Sequence, residues 1–403
     1  MSMPRAFLSA GVRRVYAKLG LDRRRSRMLF YAESRRAART LGDVVSLRCT
    51  AQTVFPPTSA VEAAERVQLA YAAAMRNAPP MSSPGGLWGS LISSAYKPLQ
   101  TALDGRDPCA LAEVLERMFG STVSTVLSIG GELAYLRTAG GRKFFIAWWL
   151  DWLACLGASL GLIPEAAEYG DIPASSYVHL YDEVTRELGI DLAFPEVCNA
   201  WGVTYGHALV PRSAWRHIHS ARTLLDLASG IERPRIVEVG GGFGGTALWL
   251  HRLTSATVRY AIYDFPIVNA IAGYFLLRAL PEAAVVLYGE SLDDDRPFLA
   301  VLPTWQIAEQ RDADVTFNQD SLPEMPEADA RAYLEVFDRI TLGAFYSDNQ
   351  ESAARWDPKR AESEQLRLPE LEDEFNRLRR VSRSRSWMRK GYVETVYFAE
   401  GPS

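Results

Sequence analysis

Residues 235–250 read Arg-Ile-Val-Glu-Val-Gly-Gly-Gly-Phe-Gly-Gly-Thr-Ala-Leu-Trp-Leu, and this stretch constrains the fold more than any other. Its β-branched start, Ile236, Val237 and Val239, predicts a buried parallel strand. Five glycines among the six residues from Gly240 to Gly245 predict a loop whose backbone can close on a ligand. A helix begins at Thr246, and its free N–H groups face the loop, where they favour a negative or polar group. Strand, glycine loop and helix in that order point to an α/β protein with a Rossmann-like sheet.

Two ligands fit such a loop. Gly240-x-Gly242-x-x-Gly245 satisfies the dinucleotide fingerprint. Glu238-x-Gly240-x-Gly242-x-Gly244 satisfies the first motif of S-adenosylmethionine (SAM) methyltransferases. A second apolar strand is expected over residues 258–263, closed by Asp264 about twenty residues past the loop, where a carboxylate can accept both ribose hydroxyls of NAD or of SAM. Glu238 separates the two. A buried carboxylate there would repel a pyrophosphate, whereas it suits the cationic methionine end of SAM.

A chain of 403 residues makes two domains the natural expectation. The net charge of -4 argues against general nucleic-acid binding. Four widely spaced cysteines form no Cys-x-x-Cys pair and read as reduced core thiols, and no signal peptide is evident, so a cytoplasmic protein is expected. The five histidines show no ligand spacing, and Asp293-Asp294-Asp295 reads as a solvated loop, so no metal site is expected. The most apolar segment, residues 144–163, contains Asp151, Gly157 and Gly161 and is expected as a buried helix pair, not a membrane span.

Three regions follow. Residues 1–55 form an arm with clustered arginines at Arg13-Arg14, Arg23-Arg24-Arg25 and Arg35-Arg36. It reads as a solvated arm; the alternative is peripheral contact with an anionic membrane surface or docking on another subunit of a homo-oligomer. Residues 56–200 form a helical domain for acceptor binding or oligomerisation. In it, Ser59-x-x-Glu62 is a capping box for a helix to about Asn77 with Val67, Tyr71 and Met75 on one face. Asp107-Pro108 caps a second helix, striped by Leu111, Val114, Leu115, Met118 and Phe119 and ended by Gly120. Residues 201–403 form the catalytic domain, with the aromatic, glycine-rich stretch from Trp201 to His207 at the junction. After a helix over 212–227 come the glycine-loop unit and strands at 258–263, 284–288, 314–317 and 340–347. A hairpin over 382–399 completes a seven-stranded sheet.

At this point the chain resembles the sugar O-methyltransferase family, a SAM-dependent class I Rossmann-like group. The resemblance rests on residues 238–245, Asp264-Phe265-Pro266, the loop Asn318-x-Asp320-Ser321-x-x-Glu324-Met325 and Arg389-Lys390-Gly391-Tyr392. In the helical half it rests on Leu87-Trp88-Gly89, Leu156-Gly157 before Pro164-Glu165, and Trp201-Gly202, so that it covers residues from about 65 to 400. It implies SAM as cofactor and a small-molecule sugar or glycosylated acceptor. Phe265 and Asn318 would join Glu238, Gly240, Gly242, Gly244 and Asp264 in holding the cofactor, with Glu290 and Ser291 at the adenine. It implies Glu324 as the base, with Asp320 second and His207 third. Related enzymes carry a catalytic histidine beside this place, where this sequence has Pro323. The other readings of the same loop are an NAD-dependent oxidoreductase and a non-catalytic SAM-binding scaffold.

Overall fold

A computed structural model describes residues 45–50, 56–79, 92, 94–121, 137–164, 174–255, 257–351, 366, 368–372, 374–389 and 391–400. The arm as far as residue 44, Leu87-Trp88-Gly89, Glu165 and Lys390 lie outside them.

The end of the expected arm is part of the fold. Strand β1 (Val45–Cys49) pairs antiparallel with β2 (Trp201–Tyr205), which pairs with β3 (Ala208–Val210). The junction stretch is therefore a hairpin, with Gly206 in the left-handed region at its turn (φ +58°).

Helix α1 (Thr58–Asn77) starts one residue before the expected capping box, with Pro57 at its N-cap. Ser59 does not cap; its hydroxyl accepts a hydrogen bond from Arg278 at 2.8 Å. The buried stripe is Ala60, Ala63, Ala64, Val67, Tyr71 and Ala74, while Met75, expected on that face, is 52% exposed. At 3.6 residues per turn the inward face drifts back onto Ala74. After α2 (Lys97–Asp104), Asp107 caps α3 (Pro108–Leu115) by accepting from the Cys109 N–H at 2.9 Å, as expected. This helix ends earlier than its stripe implies, and Met118–Gly120 is a separate 3₁₀ turn. The apolar segment forms one helix, α4 (Ala139–Ser159), where a pair was expected; it passes straight through Gly157, packing against α5 (Ala174–Leu188). Among the described residues no helix is long and apolar enough to cross a membrane.

Helix α6 (Arg212–Leu227) leads into the sheet: β4 (Arg235–Val239), α7 (Gly245–Leu253), β5 (Arg259–Asp264), α8 (Pro266–Ala279), β6 (Val285–Leu287), β7 (Phe298–Pro303) and β8 (Ala313–Gln319). Then follow α9 (Glu327–Ile340), β9 (Thr341–Gln350), α10 (Leu368–Glu372), β10 (Leu378–Arg385) and β11 (Tyr392–Ala399). The strand order is β10-β11-β9-β8-β4-β5-β7-β6, with β11 antiparallel to both neighbours and every pair from β9 to β6 parallel. This is the expected α/β, Rossmann-like sheet with its closing hairpin, but it has eight strands, not seven. The additional strand is β7, in a segment that received no strand from the sequence. Its side chains are buried almost throughout, and it takes the place beside β5, pushing the short β6 to the edge.

The helical half and one face of the sheet share a continuous core. Phe119 packs edge-on against Phe194, Phe243 and Phe275, with ring centroids 6.1, 5.2 and 5.6 Å away. Phe243 belongs to the glycine loop itself, so the helical half props the loop from behind. Phe119→Ala should therefore cost about 3–5 kcal/mol of stability and loosen the loop. Chemical denaturation checks the first effect, and a loss of ligand affinity at a temperature where the variant is still folded checks the second.

Candidate active site

The loop after β4 has Gly240, Gly242 and Gly244 at φ +80°, +58° and +84°, a conformation that L side chains rarely adopt. Glu238 lies directly beneath it: a Cβ on Gly241 would sit 2.7 Å from Glu238 Oε2. Glu238 is 3% exposed and accepts one hydrogen bond, from the Tyr260 hydroxyl at 2.8 Å. Burial pushes its pKa up to about 8, against the opposing pull of that hydrogen bond.

Asp264 ends β5 and reaches across to the loop. One carboxylate oxygen accepts from the Gly242 N–H at 3.0 Å and the other from the Phe265 N–H at 2.7 Å. Burial raises its pKa to about 7, although both N–H groups favour the charged form. Asn269 donates to the carbonyls of Asp264 and Leu302, at 3.0 and 2.7 Å, and so ties the ends of β5 and β7 together. Phe265 is half-buried beside it.

The structure places the three remaining cofactor candidates at the ends of different strands. Glu290 and Ser291 follow the edge strand β6 and are exposed. Glu290 is held by Arg66 through two 2.8 Å hydrogen bonds, which keep its pKa lowered despite partial burial. Because β7 intervenes, Pro303 and Thr304, not Glu290 and Ser291, follow the strand next to β5. Asn318 is fully buried: it donates to Val239 O at 2.8 Å and Ser321 Oγ at 2.6 Å and accepts from Asn349 at 2.9 Å. It braces the ends of β4, β8 and β9 against each other.

Asp320, with φ +61°, is the hub of an ion-pair cluster. Arg216 donates to its Oδ2 at 3.0 Å, Arg389 to the same oxygen, and Tyr392 to Oδ1. Burial alone would raise its pKa; the charges of Arg216 and Arg389 and the Tyr392 hydrogen bond outweigh it and hold Asp320 below the usual carboxylate range. A carboxylate held ionised so firmly is a weak proton acceptor, which speaks against the base role expected of it. Glu324 stands on the 3₁₀ turn Leu322–Glu324 and is half-buried, with its N–H on Ser321 O at 3.0 Å. Tyr96 faces it. Burial raises the Tyr96 pKa, and the nearby charges of Asp264 and Glu324 raise it further. The segment leading into α2 thus comes within electrostatic range of both carboxylates. His207 is exposed in the turn of the β2–β3 hairpin.

Sequence reasoning missed Tyr96, Arg212, Arg216 and Asn269. One signal could have found the arginines: a helix leading into the glycine-loop strand must start at that strand's ligand edge, and Arg212 and Arg216 occupy its first turns.

No protein-family model matches the chain, and no curated protein does. Among solved structures, the chain is similar to a SAM-dependent methyltransferase from Aquifex aeolicus: 12% identity over 45% of this chain and 89% of that one, TM-score 0.32. It is also similar to the magnesium protoporphyrin IX methyltransferase of Synechocystis PCC 6803 with bound SAM, at 12% identity over 46% and 82% of the two chains, TM-score 0.31. A third is the N-terminal domain of EvdMO1 with bound S-adenosylhomocysteine (SAH), at 12% identity over 55% and 97%, TM-score 0.33. Likeness at this level leaves ligand and reaction to the site itself.

Proposed function

We propose that this chain is a SAM-dependent O-methyltransferase acting on a hydroxyl of a sugar or glycosylated acceptor. The observation that carries the cofactor is Glu238, a buried carboxylate directly under the glycine loop with its pKa raised to about 8. A cationic ligand above it draws it into the charged form, whereas a pyrophosphate would oppose ionisation. Asp264 at the end of β5 supplies the acceptor for ribose hydroxyls. The sugar class rests on the sequence resemblance alone.

The bound cofactor would supply an electrophilic methyl group on a good, neutral leaving group. The protein's task is then to hold the acceptor hydroxyl in line with that methyl and to take its proton. Glu324, on the turn after β8, is the base in this reading: it would accept the acceptor's hydroxyl proton during transfer and pass it on to solvent. Asp320 fixes Arg216 and Arg389 around the acceptor side. The shared core behind Phe243 keeps the loop in place.

Equilibrium titration with SAM and with NAD tests this reading: SAM should bind and NAD should not, and the reverse order would replace it with the oxidoreductase reading. The pH dependence gives an independent check. Glu238 and Asp264 have raised pKa values, so both are protonated at low pH and ionise as pH rises through about 7 to 8. SAM affinity should therefore increase between about pH 6 and pH 8, by at most about tenfold per unit for each proton released. Glu238→Gln should flatten that rise. A pH-independent affinity in the wild type would remove the two carboxylates from cofactor binding.

A further inference from the structure

Among the described residues, nothing receives the donors at the start of α7. The helix begins at Gly245 with Gly244 as its N-cap, and no side chain caps it. No acceptor among those residues meets the N–H groups of Gly245, Thr246 and Ala247. Such a helix start presents partial positive charge to whatever lies in front of it. By itself it identifies no ligand.

His217 supplies a second, independent observation. It stands on α6 and is only 7% exposed. Its ring packs edge-on against Phe243 of the glycine loop, with centroids 5.2 Å apart. The ring also lies against the α-carbon of Gly245, where a Cβ would collide with Nδ1 and Cε1. Nδ1 is closed off from solvent without a partner, and among the described residues no hydrogen bond reaches Nε2 either. Burial, and then the charge of Arg216, hold the pKa well below the ordinary value, so the ring is neutral and carries one proton. That proton belongs on Nε2. A lone pair on Nδ1 is attracted by the Cα–H groups of Gly245, whereas an N–H there would turn its positive end towards them. Nε2, next to Cε1, is then a donor beside the start of α7. A buried donor without an acceptor is costly, and an acceptor on a ligand removes the cost.

The glycine loop thus has a carboxylate, Glu238, under Gly241 and a set of donors at Gly245. One end suits a cation and the other an anion, the pattern that an amino-acid zwitterion satisfies. Resting on the methyltransferase reading above, we propose that His217 is a cofactor-binding residue whose Nε2–H donates to the α-carboxylate of SAM, beside the free N–H groups at the start of α7. Glu238 takes the ammonium of the same tail. The site therefore selects for a nucleoside that carries the carboxylate over one that lacks it. The requirement for glycine at 245 has the same origin, since any side chain there would displace the imidazole.

The test is calorimetric titration of the full chain with SAH and with decarboxylated SAH, which keeps the ammonium and loses only the carboxylate. The wild type should bind SAH about ten- to a hundredfold more tightly than the decarboxylated compound. His217→Phe keeps a ring against Phe243 but has no donor; it should shrink that ratio by about tenfold, through weaker SAH binding alone. His217→Gln, whose amide still offers a donor, should restore most of it. If His217→Phe does not fold, nitrogen NMR of the wild type decides: His217 should show a protonated Nε2 whose resonance moves with SAH and not with decarboxylated SAH. The proposal is overturned if the wild type binds the two ligands alike, if folded His217→Phe keeps the wild-type ratio, or if the His217 resonance ignores SAH. It is overturned equally if His217→Phe weakens both ligands by the same factor, which would make the imidazole a prop for the loop and nothing more. Failure of the wild type to bind SAH at all is a different result: it removes the methyltransferase reading itself, and this assignment with it.

Discussion

Glu324→Gln is expected to keep SAM affinity and to lower single-turnover methyl transfer by about 10²–10⁴-fold, the usual cost of losing a general base. The substitution preserves shape and removes only the proton acceptor. The turn that carries Glu324 is short and well held: Pro323 is buried with its φ restricted, and its carbonyl accepts from the Leu366 N–H at 3.2 Å. Asp320→Asn is the informative contrast. Asp320 is bound by Arg216, Arg389 and Tyr392 and held below the ordinary carboxylate range, so its loss should disturb acceptor binding and raise KM, leaving the pH profile of turnover in place. If Glu324→Gln turned over at the wild-type rate with saturating SAM and acceptor, the base would lie elsewhere. His207, the third candidate, would be the next residue to test.

Gly242→Val is expected to abolish SAM binding without unfolding the chain. Gly242 sits at φ +58°, where a β-branched residue is strained, and its N–H is the one that Asp264 holds at 3.0 Å. A valine there would both distort the loop and place two methyl groups where the backbone must approach the ligand. Asp264→Ala removes the same contact from the other side and should weaken SAM by about 1–3 kcal/mol through lost charge-assisted hydrogen bonds. The two variants separate geometry from charge. Calorimetry showing wild-type SAM affinity in both would take the cofactor away from this loop, whereas loss in Gly242→Val with thermal unfolding unchanged would place the defect in binding alone.

The local elements were legible from the sequence because their causes are local. The β-branched run into the glycines gave β4 and its loop, Asp107-Pro108 capped α3, and the helix expected over 212–227 is α6. Glu238 and Asp264 could be placed at their strand ends for the same reason. What the sequence left undetermined depends on pairings between distant residues. Nothing near Phe298–Pro303 says that it will insert between β5 and the strand before it, and that insertion moves Glu290 and Ser291 one strand further from Asp264. Nothing near Asp320 says that Arg216, 104 residues earlier, and Arg389, 69 residues later, will meet on its carboxylate. A motif fixes backbone conformation through sterics and short-range hydrogen bonds, and those travel with the sequence. The protonation state of a carboxylate is set by burial and by charges brought in from other elements, and only the folded chain decides those.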